Sequence, residues 1–141
     1  MIQIISGVKG SGKTKRLLDQ TNDALKVEHG DIVFIDDDKR YMYDLRHEIR
    51  FVDASAYPIA HGCSPDAFLA FISGMLAVNY DITLISIDAF LKLVHIDDPA
   101  ELTPFFAALD KLSQEHNCNF MVSVSMEVEK LPAEVLAYVQ K

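Results

Sequence analysis

MIQIISGVKGSGKTKRLL, residues 1–18, sets an apolar run, a glycine-rich turn and a helix-forming segment end to end. Ile2, Ile4 and Ile5 read as a short strand broken only by Gln3. Gly7, four further residues, then Gly12, Lys13 and Thr14 complete the spacing G-x-x-x-x-G-K-[ST], and Lys15 to Leu18 favour a helix. Strand, loop and helix start come in the order that cradling a phosphate demands. Gly7, Gly10 and Gly12 allow the tight path that turns successive backbone N–H groups toward one concavity. The positive end of the following helix adds its dipole there. The expected nucleotide site is therefore the whole loop: Gly7, Val8, Lys9, Gly10, Ser11, Gly12, Lys13 and Thr14. Lys13 would reach the β- and γ-phosphates, and Thr14 would offer its hydroxyl to Mg²⁺.

Composition narrows the class. The chain has 141 residues, enough for a single domain over 1–141 with a sizeable core. Half of the residues are hydrophobic and 24% are charged, as in ordinary globular proteins. The net charge of −8 argues against a nucleic-acid partner, since phosphate backbones favour basic surfaces. It leaves room for a nucleotide, which needs only one local positive pocket. Cys63 and Cys118 lack C-x-x-C spacing and read as reduced thiols of a cytoplasmic protein. The apolar run before Gly7 is too short for a signal peptide and lacks a basic flank. Later apolar runs are interrupted well short of a span, so no membrane insertion is expected.

Along the chain, strands and helices alternate. Lys13 to about Val27 reads as a helix with Gly30 as its stop. Asp31 to Ile35 reads as a strand ending in the charged run Asp36 to Arg40, either a ligand contact or a solvated turn. In Tyr41 to Arg50, Tyr41, Tyr43 and Leu45 alternate like a strand while Met42, Leu45 and Ile49 also fit a helix, and the favoured reading is an extended piece running into a strand at Ile49 to Val52. His61 sits in a loop without a paired carboxylate. Ser64, Pro65 and Asp66 start a helix to about Val78, by cap, first-turn proline and dipole. Ile82 to Ile87 is a β-branched strand ending at Asp88, where a phosphate-loop protein holds the water shell of Mg²⁺. Asp97 to Pro99 open a helix to about His116. Asn119 to Ser125 form the last strand, with Ser123 and Ser125 either sensing a γ-phosphate or facing solvent on an edge strand. Pro132 to Gln140 read as a closing helix. The fold class is thus α/β, three-layered, with about five mainly parallel strands and helices on both faces.

The segments GVKGSGKT and LISID together resemble the phosphate-loop (P-loop) NTPase superfamily. More narrowly, the chain resembles a group of small bacterial ATP-binding proteins often labelled twitching-motility ATPases. That likeness runs through GSGKTKRLL, GDIVFIDDD, YDLRHEIRFVD, FISGM and YDITLISID. It implies ATP or GTP binding with Mg²⁺, with Thr14 and Asp88 at the metal. A strand lying between the two motif-bearing strands, as in RecA-like ATPases, is also expected.

Three functions fit: a slow Mg²⁺-dependent NTPase acting with a partner protein or a second copy, a non-hydrolysing nucleotide sensor, and a small nucleoside or nucleotide kinase. A kinase needs lid arginines over the transferred group, and only Arg40, Arg46 and Arg50 stand mid-chain. Many RecA-like enzymes place Glu directly after the strand-tip Asp to activate water, whereas Ala89 stands there in this chain.

Overall fold

The computed structural model describes residues 1–141. Five strands form one sheet: β1 (Ile2–Ser6), β2 (Asp31–Asp36), β3 (Arg50–Asp53), β4 (Ile82–Ile87) and β5 (Asn119–Val124). Every pairing is parallel and the order is β1-β5-β4-β2-β3. A strand does lie between the two motif-bearing strands β1 and β4, and it is β5. The helices are α1 (Lys13–Ala24), α2 (Pro65–Val78), the short α3 (Phe90–Leu93) and α4 (Leu102–His116). None is long and apolar enough to cross a membrane.

Side-chain alternation sorts the strands into two faces. Ile5, Ile32, Phe34, Leu84 and Met121 pack with Leu17 and Leu18 of α1 on one side. Val33, Ile35, Ile85, Ile87, Phe120 and Val122 pack on the other, against Phe68 and Ile72 of α2 and Phe105, Phe106 and Leu109 of α4. Near-continuous apolar strands follow, because a parallel sheet is covered on both faces. Phe90 of α3 fills the second layer, 4.8 Å from the Phe105 ring and 6.2 Å from the Phe68 ring by centroid. Thr21 ties α1 to the sheet, its hydroxyl 2.7 Å from that of Ser86 on β4.

Local chemistry sets the helix ends. Ser64 Oγ accepts the Ala67 N–H at 3.1 Å, with Pro65 in the first turn of α2. Asp98 and Glu101 form a capping box before α4, and Asn117 closes that helix in the left-handed region.

Several expectations need correction. Helix α1 ends at Ala24, because the N–H groups of Leu25, Lys26 and Val27 bond three residues back and tighten the chain. Gly30 is not a left-handed cap. A Cβ there would lie 2.1 Å from the Asp81 carbonyl oxygen, so glycine permits a close approach of chains. Tyr41 to Arg50 is not one extended piece: it turns through a 3-10 segment, Met42–Asp44, and packs Leu45 and Ile49 with Leu17 and Leu18 of α1 before Arg50 opens β3. The closing segment is a 3-10 turn, Ala133–Tyr138. Beyond it Val139 bridges Ile4, and Gln140 N–H bonds the Ile4 carbonyl at 2.9 Å, covering the outer edge of β1.

Candidate functional site

Because all strands run one way, the segments after β1, β2, β4 and β5 meet at one sheet edge. Alternation then fixes which side chains face α1. Asp36 follows Ile32 and Phe34, Asp88 follows Leu84 and Ser86, and Ser123 follows Met121. All three turn toward the start of α1, where Lys13 and Thr14 lie. Together they line a cleft of about 820 Å³, joined by Lys9, Gly10 and Gly12, by Asp37, Asp38 and Arg40, and by Ala89, Lys92 and Ser125.

The glycine loop connects β1 to α1. Gly10 and Gly12 have φ of +84° and +87°, a region that favours glycine. Gly7 is needed for room instead, since a Cβ there would stand 2.6 Å from Ser11 Oγ. From Val8 through Lys15 only the Ser11 N–H finds an acceptor, the Val8 carbonyl at 3.2 Å. The other N–H groups are unpaired, and unpaired N–H groups beside the N-terminus of a helix are the kind of donors that can hold an anion. Val8, Lys9 and Ser11 are exposed; Lys13 is 7% exposed. Lys13 Nζ donates to the Val8 carbonyl at 2.8 Å. Burial holds its ammonium below the ordinary lysine range, and Asp88 opposes that shift.

Thr14 Oγ1 donates to Asp88, 3.0 Å from Oδ2 and 3.3 Å from Oδ1. Two residues 74 positions apart are thereby brought into contact. Ser123 Oγ donates to Asp88 Oδ1 at 2.6 Å and accepts the Ala89 N–H at 3.0 Å. The Asp88 N–H bonds the Ile35 carbonyl at 2.9 Å, so backbone and side chain are both held. A hydroxyl and a carboxylate supply the hard oxygen donors that suit Mg²⁺, and the residues present fit that ion. Ala89 has φ of +54°, a conformation an alanine adopts at a cost of about 1–2 kcal/mol.

The remaining sequence candidates divide. Ser123 does not lie on an edge strand, because β5 is interior; it is 2% exposed and positions Asp88. Arg40 lines the cleft, whereas Arg46, Arg50, His61 and Glu127 do not. Asp36 to Asp38 are not simply a solvated turn. Asp36 is 2% exposed, and burial, with the Asp37 and Asp88 carboxyls, pushes its carboxyl up to about 8. The charged run hid this residue in the sequence. The signal was the period of two, which places residues 32, 34 and 36 on one face.

Comparison with protein-family models and with characterised proteins gives no match to this chain.

Proposed function

We propose that the chain is a phosphate-loop nucleotide-binding protein that takes ATP or GTP with Mg²⁺ and hydrolyses it slowly, in the cytoplasm, together with a partner protein or a second copy of itself. The observation that carries this reading is the meeting of Lys13, Thr14 and Asp88 in one cleft, beside a loop of unpaired N–H groups. In this reading the loop and Lys13 hold the phosphates, and Thr14 and Asp88 hold Mg²⁺. The ion would neutralise charge developing on the phosphoryl oxygens. The cleft is within the size range of sites for small ligands. The order β1-β5-β4-β2-β3 supports the RecA-like branch of the three-layer phosphate-loop fold, because β5 separates β1 from β4.

Turnover in this reading is slow. Ala89 stands where a carboxylate would activate water, and positioning with Mg²⁺ alone leaves such proteins at or below about 10⁻² s⁻¹. The same alanine favours a second reading, a sensor that binds nucleotide without hydrolysing it. Release of phosphate at several per second from the isolated chain would refute both.

Thermal melting with nucleotide tests the binding itself. Saturating ligand stabilises by roughly 2.7 kcal/mol at a hundredfold excess over Kd. Lys13→Ala is expected to abolish most of that shift. Asp88→Asn is expected to weaken binding only when Mg²⁺ is present. If the wild-type melt ignores millimolar ATP, ADP, GTP and GDP with Mg²⁺, the reading fails.

A further inference from the structure

The tip of β2 carries charge that nucleotide binding leaves unused. Asp36, Asp37 and Asp38 each bring a carboxylate oxygen to within 4.8 Å of the other two. Three carboxyls at that spacing repel when all are ionised, and a proton or a cation between them relieves the repulsion. Asp36 is the deepest of the three, turned inward by the same alternation that buries Phe34. Its Oδ1 accepts the Asp37 N–H at 2.7 Å. Its Oδ2 is fully buried and meets no donor. An unpartnered buried oxygen is costly, and it is the feature that points to an occupant.

The neighbouring bases do not serve that oxygen. Lys92 Nζ stands 3.9 Å from Asp37 Oδ2, and Arg40 stands 3.2 Å from Asp38 Oδ2. Both lie on the exposed side of the cluster, and neither is paired with Asp36. The donor set is all carboxylate, which suits hard cations rather than zinc or copper. The number of carboxylates then favours one cation over another. Three carboxylates whose oxygens lie within 4.8 Å of one another suit Ca²⁺, which takes about six to eight oxygens in flexible geometry, better than Mg²⁺, which keeps several waters and uses one or two carboxylates.

We propose that Asp36, Asp37 and Asp38 form a site for a hard divalent cation, Ca²⁺ in preference to Mg²⁺, separate from the Thr14–Asp88 pair and loaded without nucleotide. Asp38 gives up part of its contact with Arg40 to join it, so the core of the site is Asp36 and Asp37. The ion would neutralise the buried Oδ2, fix the turn after β2 and set positive charge at the lip of the cleft. A proton held between Asp36 and Asp37 is the rival occupant. The site does not rest on nucleotide binding, so each can fail without the other.

Calorimetric titration of the nucleotide-free protein with CaCl₂ alone, and then with MgCl₂, tests the proposal. One Ca²⁺ per chain is expected, with a Kd of about 10⁻⁴–10⁻³ M and weaker binding of Mg²⁺. Asp36→Asn and, separately, the more exposed Asp37→Asn are each expected to weaken Ca²⁺ binding by about tenfold or more. Thr14→Val is expected to leave it unchanged. Retained circular dichroism of each variant separates lost binding from lost folding. No saturable binding by about 10 mM Ca²⁺, well above that range, would leave the proton as occupant and overturn the proposal. Binding indifferent to both aspartate variants would overturn it too, as would binding lost in Thr14→Val.

Discussion

Asp36 makes stability depend on pH in a direction opposite to most aspartates. Its carboxyl rises from an ordinary 3.8 to about 8 on folding, so the folded chain binds the proton more tightly than the unfolded one. The stability this group lends is present below about pH 4 and lost as pH rises through about 8. Asp36→Asn, which cannot ionise, should therefore match the wild type near pH 4 and exceed it above pH 8. A tenfold change in proton affinity is worth about 1.4 kcal/mol, so a gain on the order of a few kcal/mol is expected in chelator-treated buffer. Urea unfolding at the two pH values measures it, and an equal difference at both would show that the Asp36 charge is compensated. The thiols offer a second check. Cys118 is fully buried and burial pushes its thiol up to about 12, whereas Cys63 is only partly covered. One thiol should react with a disulfide reagent in the native protein and the second only on unfolding. At this scale the glycine loop was legible because its chemistry is local: the spacing of Gly7, Gly12, Lys13 and Thr14 is itself the signal. Asp36 was not, since a run of charges looks solvated until the neighbouring strands fix which way each points.

Among the elements, those with both a cap and an apolar stripe were readable from the chain. Helix α2 begins at Pro65 after Ser64 and buries Phe68, Ile72 and Leu76, four residues apart. Segments whose shape depends on distant contacts were not. Tyr41, Leu45 and Ile49 suit several local conformations, and the turn they adopt is set by packing beneath α1. Gly30 illustrates the same point, because its reason for being glycine is the Asp81 carbonyl on another segment. Gly30→Ala should accordingly destabilise by more than the helix or strand preference of alanine could restore. A melting temperature at or above the wild type would show that the two segments separate freely. Phe68→Ala, which empties the contact among Phe71, Phe90 and Phe105, should cost about 3–5 kcal/mol by denaturant unfolding.

For the whole molecule, strand number and direction followed from the alternation of helix and strand, but the neighbours of each strand did not. Ser123 shows why: its strand is last in sequence yet interior in the sheet, between β1 and β4. That placement also dictates a timetable during synthesis. Strand β1 has β5 as its only strand neighbour in the sheet, with Ile2 opposite Phe120, and of the five strands β5 is made last. At about 5–20 residues per second, the ribosome takes roughly 6–24 s to supply that neighbour. Through that interval β2, β3 and β4 can assemble, while Ile2, Ile4 and Ile5 wait as an unpaired apolar segment that a chaperone would recognise. A nascent chain halted before Asn119 should consequently leave residues 2–6 open to proteolysis, and one released after Val124 should close them. The loop that begins at Gly7 is thus set in place only after β5 has been made, although it is encoded ahead of every strand of the sheet except β1.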